Sequence, residues 1–393
     1  MTLALALEAT DGDARAGLGT TARGSFRTPC FMPVGTRGAV RGLSSADLET
    51  LGAEVLLANT YHLMLRPGAD MVAELGGLHG FASWPGHVLT DSGGYQVFSL
   101  GPAVDDDGVS FRSTYDGTPH RLTPERAVAV QELLGADIQV ALDVCPPLPS
   151  PPEVLRLAVD RTAEWAVRAK RAHRRPGQAL FGVVQGGADR GLRAESARRA
   201  TEVGFDGYAV GGLSVGETRA EMLDALAVAI AELPPDRPRY LMGVGDAVGL
   251  VEAVGLGVDL FDSVLPTRLG RHGTVLSSEG RYHLRNAGCA RDPRPLDPAC
   301  ACCVCARWSR AYLRHLVLVG DRGGSRLVAL HNLAWTLSVV TRAREAVTAG
   351  RFQAYRSALT DRFAQAQPAA ARPGDQTGRR VPRGAGAEPR DTL

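Results

Sequence analysis

The amino-acid sequence predicts an α/β fold in which parallel strands close into a barrel with helices on the outside. Three observations carry this reading. Short apolar runs ending in glycine or polar residues recur eight times, helical patterns lie between most of them, and the runs are apolar at nearly every position rather than at alternate ones. Strands buried on both faces read in this way. A doubly wound open sheet shares the same alternation.

The candidate strands are residues 31–35, 55–60, 88–92, 138–143, 180–185, 207–212, 240–245 and 258–262. Helical patterns occupy 45–52, 123–135, 153–173, 189–203, 217–233 and 246–255, several preceded by a capping side chain or followed by glycine. Ser150-Pro-Pro-Glu153 reads as a capping box with prolines in the first turn. Between the third and fourth runs, residues 109–121 alternate around Asp116-Gly117, the signature of an inserted β-ribbon. After Gly273 the pattern changes: 286–305 is irregular and rich in Pro and Cys, and 308–319 and 327–344 read as helices. The expected organisation is a barrel core over 1–285, a zinc-binding subdomain with helices over 286–345 and a C-terminal helix on the barrel over 346–366. An Ala/Pro/Gly/Arg-rich disordered tail over 367–393 completes it.

Lys+Arg 44 against Asp+Glu 42 leaves a net charge of +2 over 393 residues, so any nucleic-acid site is a local patch rather than a bulk field. Lys170 is the only lysine. The first residues carry acids after a short apolar run, and no run reaches the length of a membrane span, which predicts a cytoplasmic protein. Five of the seven cysteines crowd into 289–305, and such crowding favours metal over disulfides. Cys300, Cys302, Cys303 and Cys305, followed by His331, offer a closed tetrahedral set for structural zinc; the spacing permits three of the thiolates with His331 or all four cysteines.

In a barrel, the polar residues that end the strands converge on one face, where barrel enzymes keep their sites. Asp91 and Asp262 are two carboxylates suited to displacement at a glycosidic carbon. Asp143, Gln185 and the Gly211-Gly212 backbone supply an acceptor, a mixed donor–acceptor and exposed peptide groups, which together fit a purine edge. Tyr95 and Met242 are candidates for its two faces. Val258 to Gly273 ends an apolar strand in Asp262 and places Arg268 and Arg271 in the following loop.

Leu89-Thr-Asp-Ser-Gly-Gly-Tyr-Gln-Val-Phe-Ser-Leu100, Val210-Gly-Gly-Leu-Ser-Val-Gly-Glu217, Tyr240-Leu-Met-Gly-Val-Gly245, the stretch ending in Gly273 and the Cys/His set strongly resemble the bacterial queuine tRNA-ribosyltransferases, or tRNA-guanine transglycosylases, from about Thr28 to Ala366. The resemblance implies a (β/α)8 TIM barrel with one structural Zn2+ per chain, acting as a homodimer. It implies exchange of the wobble guanine in a tRNA anticodon loop for preQ1 by double displacement through a covalent tRNA-Asp intermediate. Asp262 matches the nucleophile and Asp91 the general acid/base. Asp143, Gln185, Gly212 and Leu213 match base-recognition positions, Tyr95 and Met242 the stacking faces, and Glu217 a residue behind the Gly-Leu peptide. Cys145 and Val215 match positions that go with preQ1. Thr267, Arg268 and Arg271 match the tRNA-facing segment, and Cys300, Cys302, Cys305 and His331 the zinc ligands, leaving Cys303 extra. Ser263, Leu269 and Gly288 depart from the family pattern, standing where a cysteine, a small polar residue and part of a basic pair are usual. A non-catalytic tRNA-binding relative is the alternative, although it would be expected to lack one of the aspartates. A metal-dependent barrel hydrolase would need a His/Asp cluster at the strand ends.

Overall fold

The computed structural model describes residues 2–366; the tail expected over 367–393 lies outside the described residues. The eight expected runs form strands β1 (Cys30–Gly35), β2 (Val55–Ala58), β3 (His87–Thr90), β4 (Ile138–Val140), β5 (Ala179–Val184), β6 (Gly207–Val210), β7 (Arg239–Leu241) and β8 (Leu260–Ser263). Each pairs in parallel with its neighbours, β3 with β4 and β8 with β1 included, so the sheet closes and the open-sheet alternative falls away. Inside the barrel, Met32, Val34, Leu57, Leu89, Val140, Phe181, Val183, Ala209, Tyr240 and Leu260 form one buried cluster. The outward faces pack under the helices in a second, larger one.

Five of the eight strands end two to four residues earlier than their apolar runs, which moves the polar residues into the loops at one mouth. At β2 the expected strand through Thr60 stops at Ala58, because Thr60 opens the short helix Thr60–Leu65 and its N–H and hydroxyl are taken by Asp91. The helices follow the expected order, with Thr123, Asp189, Thr218 and Asp246 as side-chain N-caps. The capping box at Ser150 does not form. A residue before proline is pushed to extended backbone, so Pro151 (ψ 148°) takes the cap position of helix Pro152–Ala172, and the Ser150 hydroxyl turns to the Pro147 carbonyl at 2.6 Å. Arg268 and Arg271 are likewise not in a loop: Pro266 sits in the first turn of a helix, Leu265–Arg271, that carries both.

The expected ribbon is present as Ala103–Val104, Val109–Arg112 and Pro119–Leu122, with Gly117 at φ +74° in its turn. Its tip reaches the mouth, where Thr114 and Tyr115 hydrogen-bond Tyr61 and His62, each at 3.0 Å. An antiparallel sheet of Ala4–Asp11, Ala14–Thr21 and Gly24–Thr28 was not expected from the sequence. It covers the opposite end of the barrel, where Leu3 and Phe26 join the interior cluster.

Arg15 of that sheet is buried against Asp259, just before β8, through bonds of 2.8 and 2.5 Å, and also donates to the carbonyls of Pro235 and Arg237. Removing one partner leaves a buried charge unmatched. Asp259→Ala should therefore cost about 3–5 kcal/mol in a urea titration, while leaving activity per folded molecule near normal, since the pair lies far from the mouth. A midpoint unchanged from the parent chain would contradict this placement.

Candidate active site

The loops after six strands, β2 to β7, and the end of β8 build the site. Asp91, just past β3, is buried and accepts four hydrogen bonds: Thr60 N–H at 2.8 Å and Gly93 N–H at 3.2 Å on Oδ1, Asn59 Nδ2 at 2.5 Å and Gln96 Nε2 at 3.0 Å on Oδ2. Burial raises its pKa, and these four donors oppose the shift. Asp262, still within β8 and opposite Met32 of β1, is held on one side only. The Tyr240 hydroxyl (2.7 Å) and Gly243 N–H (2.8 Å) both donate to Oδ1, and among the described residues Oδ2 carries no hydrogen bond. Burial raises the pKa of Asp262, with a further push from Asp91, so the two carboxylates sense one another.

Beside this pair lies a polar pocket. Asp143, past β4, accepts from Gln185 Nε2 at 2.6 Å and Ser92 Oγ at 3.5 Å. Burial pushes its pKa up to about 6, with Gln185 and Ser92 pulling it down. Gln185 is fully buried, its backbone N–H held by Ser196, and its Oε1 has no partner. Gly212, at φ +63°, lies so close that a Cβ there would stand 2.3 Å from that oxygen. Cys145 reaches Gln185 and the Gly212 N–H, and its thiol, pushed up to about 12 by burial, stays protonated. Met242 is half-buried with its sulfur beside Gly211. Leu213 is buried, and the N–H groups of Ser214 and Val215 donate to Glu217.

Tyr95 stands at the rim on the short helix Gly94–Phe98 with its side chain 49% exposed. Arg268 is exposed. Thr267, by contrast, is buried: its hydroxyl donates to the Val264 carbonyl and accepts from Arg271 at 3.5 Å, so it holds Arg271 rather than facing solvent. The Ser263 Oγ accepts the Leu265 N–H at 3.1 Å, and its Cβ fills the space a side chain at Gly245 would need, so position 245 must be glycine; nothing in the structure requires serine rather than cysteine at 263. Leu269 turns inward onto the core between the arginines, while Gly288 is exposed with nothing within 4 Å of a Cβ, and nothing in the structure requires glycine there.

The donor atoms of Cys300, Cys302, Cys305 and His331 all lie within 4.8 Å of one another, which selects three thiolates and the imidazole over a four-cysteine set; Cys303 points to solvent. His331 Nδ1 faces the sulfurs of Cys302 and Cys305 at 3.5 and 3.3 Å, and Nε2 is engaged by the Leu276 carbonyl at 2.8 Å. These separations suit a tetrahedral ion with ligand bonds of roughly 2.0–2.3 Å. The next residue, Asn332, donates to the carbonyls of Pro266 and Thr274 and accepts from Leu276 N–H, all within 3.0 Å, which ties the cluster to the segment after Asp262.

Asn59, Gln96, Tyr240 and Gly243 complete the carboxylate pair, and sequence reasoning had not assigned them these roles. Tyr240 had a signal: it lies in an apolar run read as a buried barrel strand, and a buried hydroxyl needs a partner. Gln96 had none beyond its place one turn after Asp91.

A closed parallel barrel with two carboxylates at its mouth, beside a polar pocket in which the buried Gln185 Oε1 lacks a partner, defines a barrel enzyme acting by carboxylate chemistry on a ligand that brings N–H groups. The family model described as queuine tRNA-ribosyltransferase matches residues 10–365. The chain belongs to that family, whose members are pentosyltransferases. A protein of Thermus thermophilus named queuine tRNA-ribosyltransferase is 52% identical over 348 residues, covering 88% of this chain and 90% of its own. Proteins of the same name from Herpetosiphon aurantiacus (49% identity; 91% and 92% covered) and Sphingopyxis alaskensis (47%; 92% and 99%) are similar to it along the same length. None of the described helices is long and apolar enough to cross a membrane.

Proposed function

We propose that the chain is an active tRNA-guanine transglycosylase that exchanges the wobble guanine of its target tRNAs for preQ1 through a covalent intermediate on Asp262. The observation that carries this reading is the asymmetry of the two carboxylates. Asp262 has one oxygen anchored by Tyr240 and Gly243 and the other bare, as a nucleophile needs, whereas both oxygens of Asp91 are held by donors.

Asp262 Oδ2 attacks the anomeric carbon of the ribose, the bond to guanine N9 breaks, and its electron pair leaves with the base, which takes a proton from Asp91. The incoming base gives Asp91 the proton of its own ring N–H as that nitrogen attacks the same carbon, and the Asp262 carboxylate is released. The ester keeps the sugar activated, so the exchange needs no ATP. Asp143 and Gln185 receive the N–H groups of the base, for which the unpartnered Gln185 Oε1 is an open acceptor. Gly212, Leu213, Val215 and Cys145 line the remaining edge, and Tyr95 and Met242 cover the faces. Such a pocket takes a base splayed out of an RNA loop.

Arg268 and Arg271, with Thr267 fixing the latter, meet the anticodon-loop phosphates. Cys300, Cys302, Cys305 and His331 hold zinc, whose contribution is a structural cross-link. A homodimer is supported by the exposed apolar side chains of Tyr312, Leu318 and Val319 on and just after the helix Arg310–Leu318. Incubation with unmodified tRNA and labelled guanine or preQ1 tests the whole reading: incorporation is expected, and none would leave a non-catalytic RNA-binding protein.

Asp143 makes this pocket pH-dependent. With its pKa near 6 it is ionised at pH 7 and ready to accept N–H groups, so the KM for guanine should rise about tenfold per unit as pH falls below 6. Stability should move the other way. The folded pKa lies above the ordinary aspartate value of 3.8, so the folded state binds more protons and Asp143 destabilises the free protein as pH rises from about 4 through 6. Asp143→Asn should remove both trends, and a KM profile flat to pH 5 in the parent protein would refute the assignment.

A further inference from the structure

Arg193 is unlike the other arginines among the described residues. It lies in the first turns of helix Arg190–Val203, is 0% exposed, and none of its hydrogen bonds goes to a carboxylate. A cation near a helix N-terminus opposes the helix dipole, and burial adds to that cost, pulling its pKa down to about 10, which still leaves it charged at pH 7. What holds it is a set of backbone carbonyls: Nε donates to Gly187 at 2.7 Å, Nη1 to Val184 at 3.0 Å and Gly211 at 2.7 Å, and Nη2 to Gly212 at 3.0 Å. Gly186, at φ +136°, brings the loop after β5 against the Arg193 backbone, where a Cβ would stand 2.8 Å from its nitrogen.

In a trans peptide the C=O and N–H point in opposite directions. Drawing the carbonyls of Gly211 and Gly212 to Arg193 therefore turns the N–H groups of Gly212 and Leu213 to the other side, where the Gly212 N–H meets Cys145 beside Gln185. Glu217 acts on the next peptides in the opposite sense, taking the N–H groups of Ser214 and Val215 and turning the carbonyls of Leu213 and Ser214 away from itself. A buried cation and an anion thus divide one ribbon into two donors followed by two acceptors.

We propose that Arg193 is a positioning residue for base recognition: by holding the Gly211 and Gly212 carbonyls it sets the Gly212 and Leu213 N–H groups toward the edge of the base. This rests on the transglycosylase reading and goes beyond it in naming the group that orders the recognising backbone. A planar guanidinium with donors in a fixed fork can hold four carbonyls at once, whereas an ammonium has three donors at a single point.

The test is labelled-guanine exchange into tRNA by Arg193→Lys and Arg193→Met, with the KM for guanine and for tRNA measured separately and folding followed by near-UV circular dichroism and melting. The KM for guanine should rise at least tenfold in Arg193→Met and by an intermediate factor in Arg193→Lys, with the KM for tRNA within about twofold of the parent. Folded variants with a parental KM for guanine, or with both constants raised alike, would overturn the assignment. Failure of both variants to fold would also overturn it, marking Arg193 as purely architectural. Should the parent protein exchange no guanine, the transglycosylase reading fails and the proposal with it; parental exchange by the variants defeats the Arg193 proposal alone.

Discussion

Replacing Asp262 with alanine should abolish base exchange, lowering the rate by roughly 10⁴-fold or more, the scale seen when a nucleophile is removed from a covalent mechanism. The expectation follows from the bare Oδ2 of Asp262: no other carboxylate at the mouth has an oxygen free to attack, because both oxygens of Asp91 are committed to four donors and Asp143 is bound to Gln185 and Ser92. Denaturing gels of enzyme mixed with tRNA should show a stable adduct in the parent chain and none in Asp262→Ala. Tyr240→Phe removes one anchor but leaves Gly243 N–H, so a loss of about tenfold is expected. Asp262→Glu displaces the carboxylate by about one bond and should cost about 10² in rate. An adduct that persists in Asp262→Ala would remove Asp262 as nucleophile. Exchange at parental rates in that variant would remove the double displacement altogether.

The barrel was legible because its evidence is local: eight apolar runs, each bounded by glycine or a polar residue, state the strands, and caps such as Thr123, Asp189 and Asp246 state the helices. Asp91, Asp143, Gln185 and Asp262 were legible for the same reason, since a polar residue closing an apolar strand has one direction to face. The N-terminal sheet was not. Its strands are short on large apolar residues, and what holds them is remote, as with Arg15 and Asp259 244 positions apart. Ser150 shows a local rule losing to another local rule, the restriction that proline places on the residue before it. Arg193 shows the deeper limit: among the arginines of its helix it reads as a solvated side chain, and only the folding of two loops over it reveals that it is buried. Thr267 repeats that lesson in reverse, looking like a surface contact and proving to be a support.

Loss of the metal should damage the active site as well as the stability of the chain, because the ligand cluster and the mouth share one helix. His331 and Asn332 are adjacent in Arg322–Thr348; the first engages the Leu276 carbonyl through Nε2, and the second holds Pro266, Thr274 and Leu276. The same helix packs on Leu265–Arg271 so closely that a Cβ at Gly270 would lie 2.4 Å from the Cα of Ala329, which seats the short helix bearing Arg268 and Arg271 on the helix that carries His331. Cys302→Ser should lower zinc content from about one per chain to near zero and cost about 4–5 kcal/mol in denaturant titration, as expected for loss of a structural metal. It should also raise the KM for tRNA more than the KM for guanine, since the arginine helix moves while the Asp143 and Gln185 pocket, built on other strands, does not. Asn332→Ala separates the two effects. It keeps all four candidate ligands and should keep the metal, yet it breaks three hydrogen bonds, two of them buried, to the segment after Asp262 and should reproduce the rise in tRNA KM at a smaller cost in stability, about 1–3 kcal/mol. Metal-free protein that retains its melting temperature and both KM values would show that the cluster supports neither the fold nor the mouth.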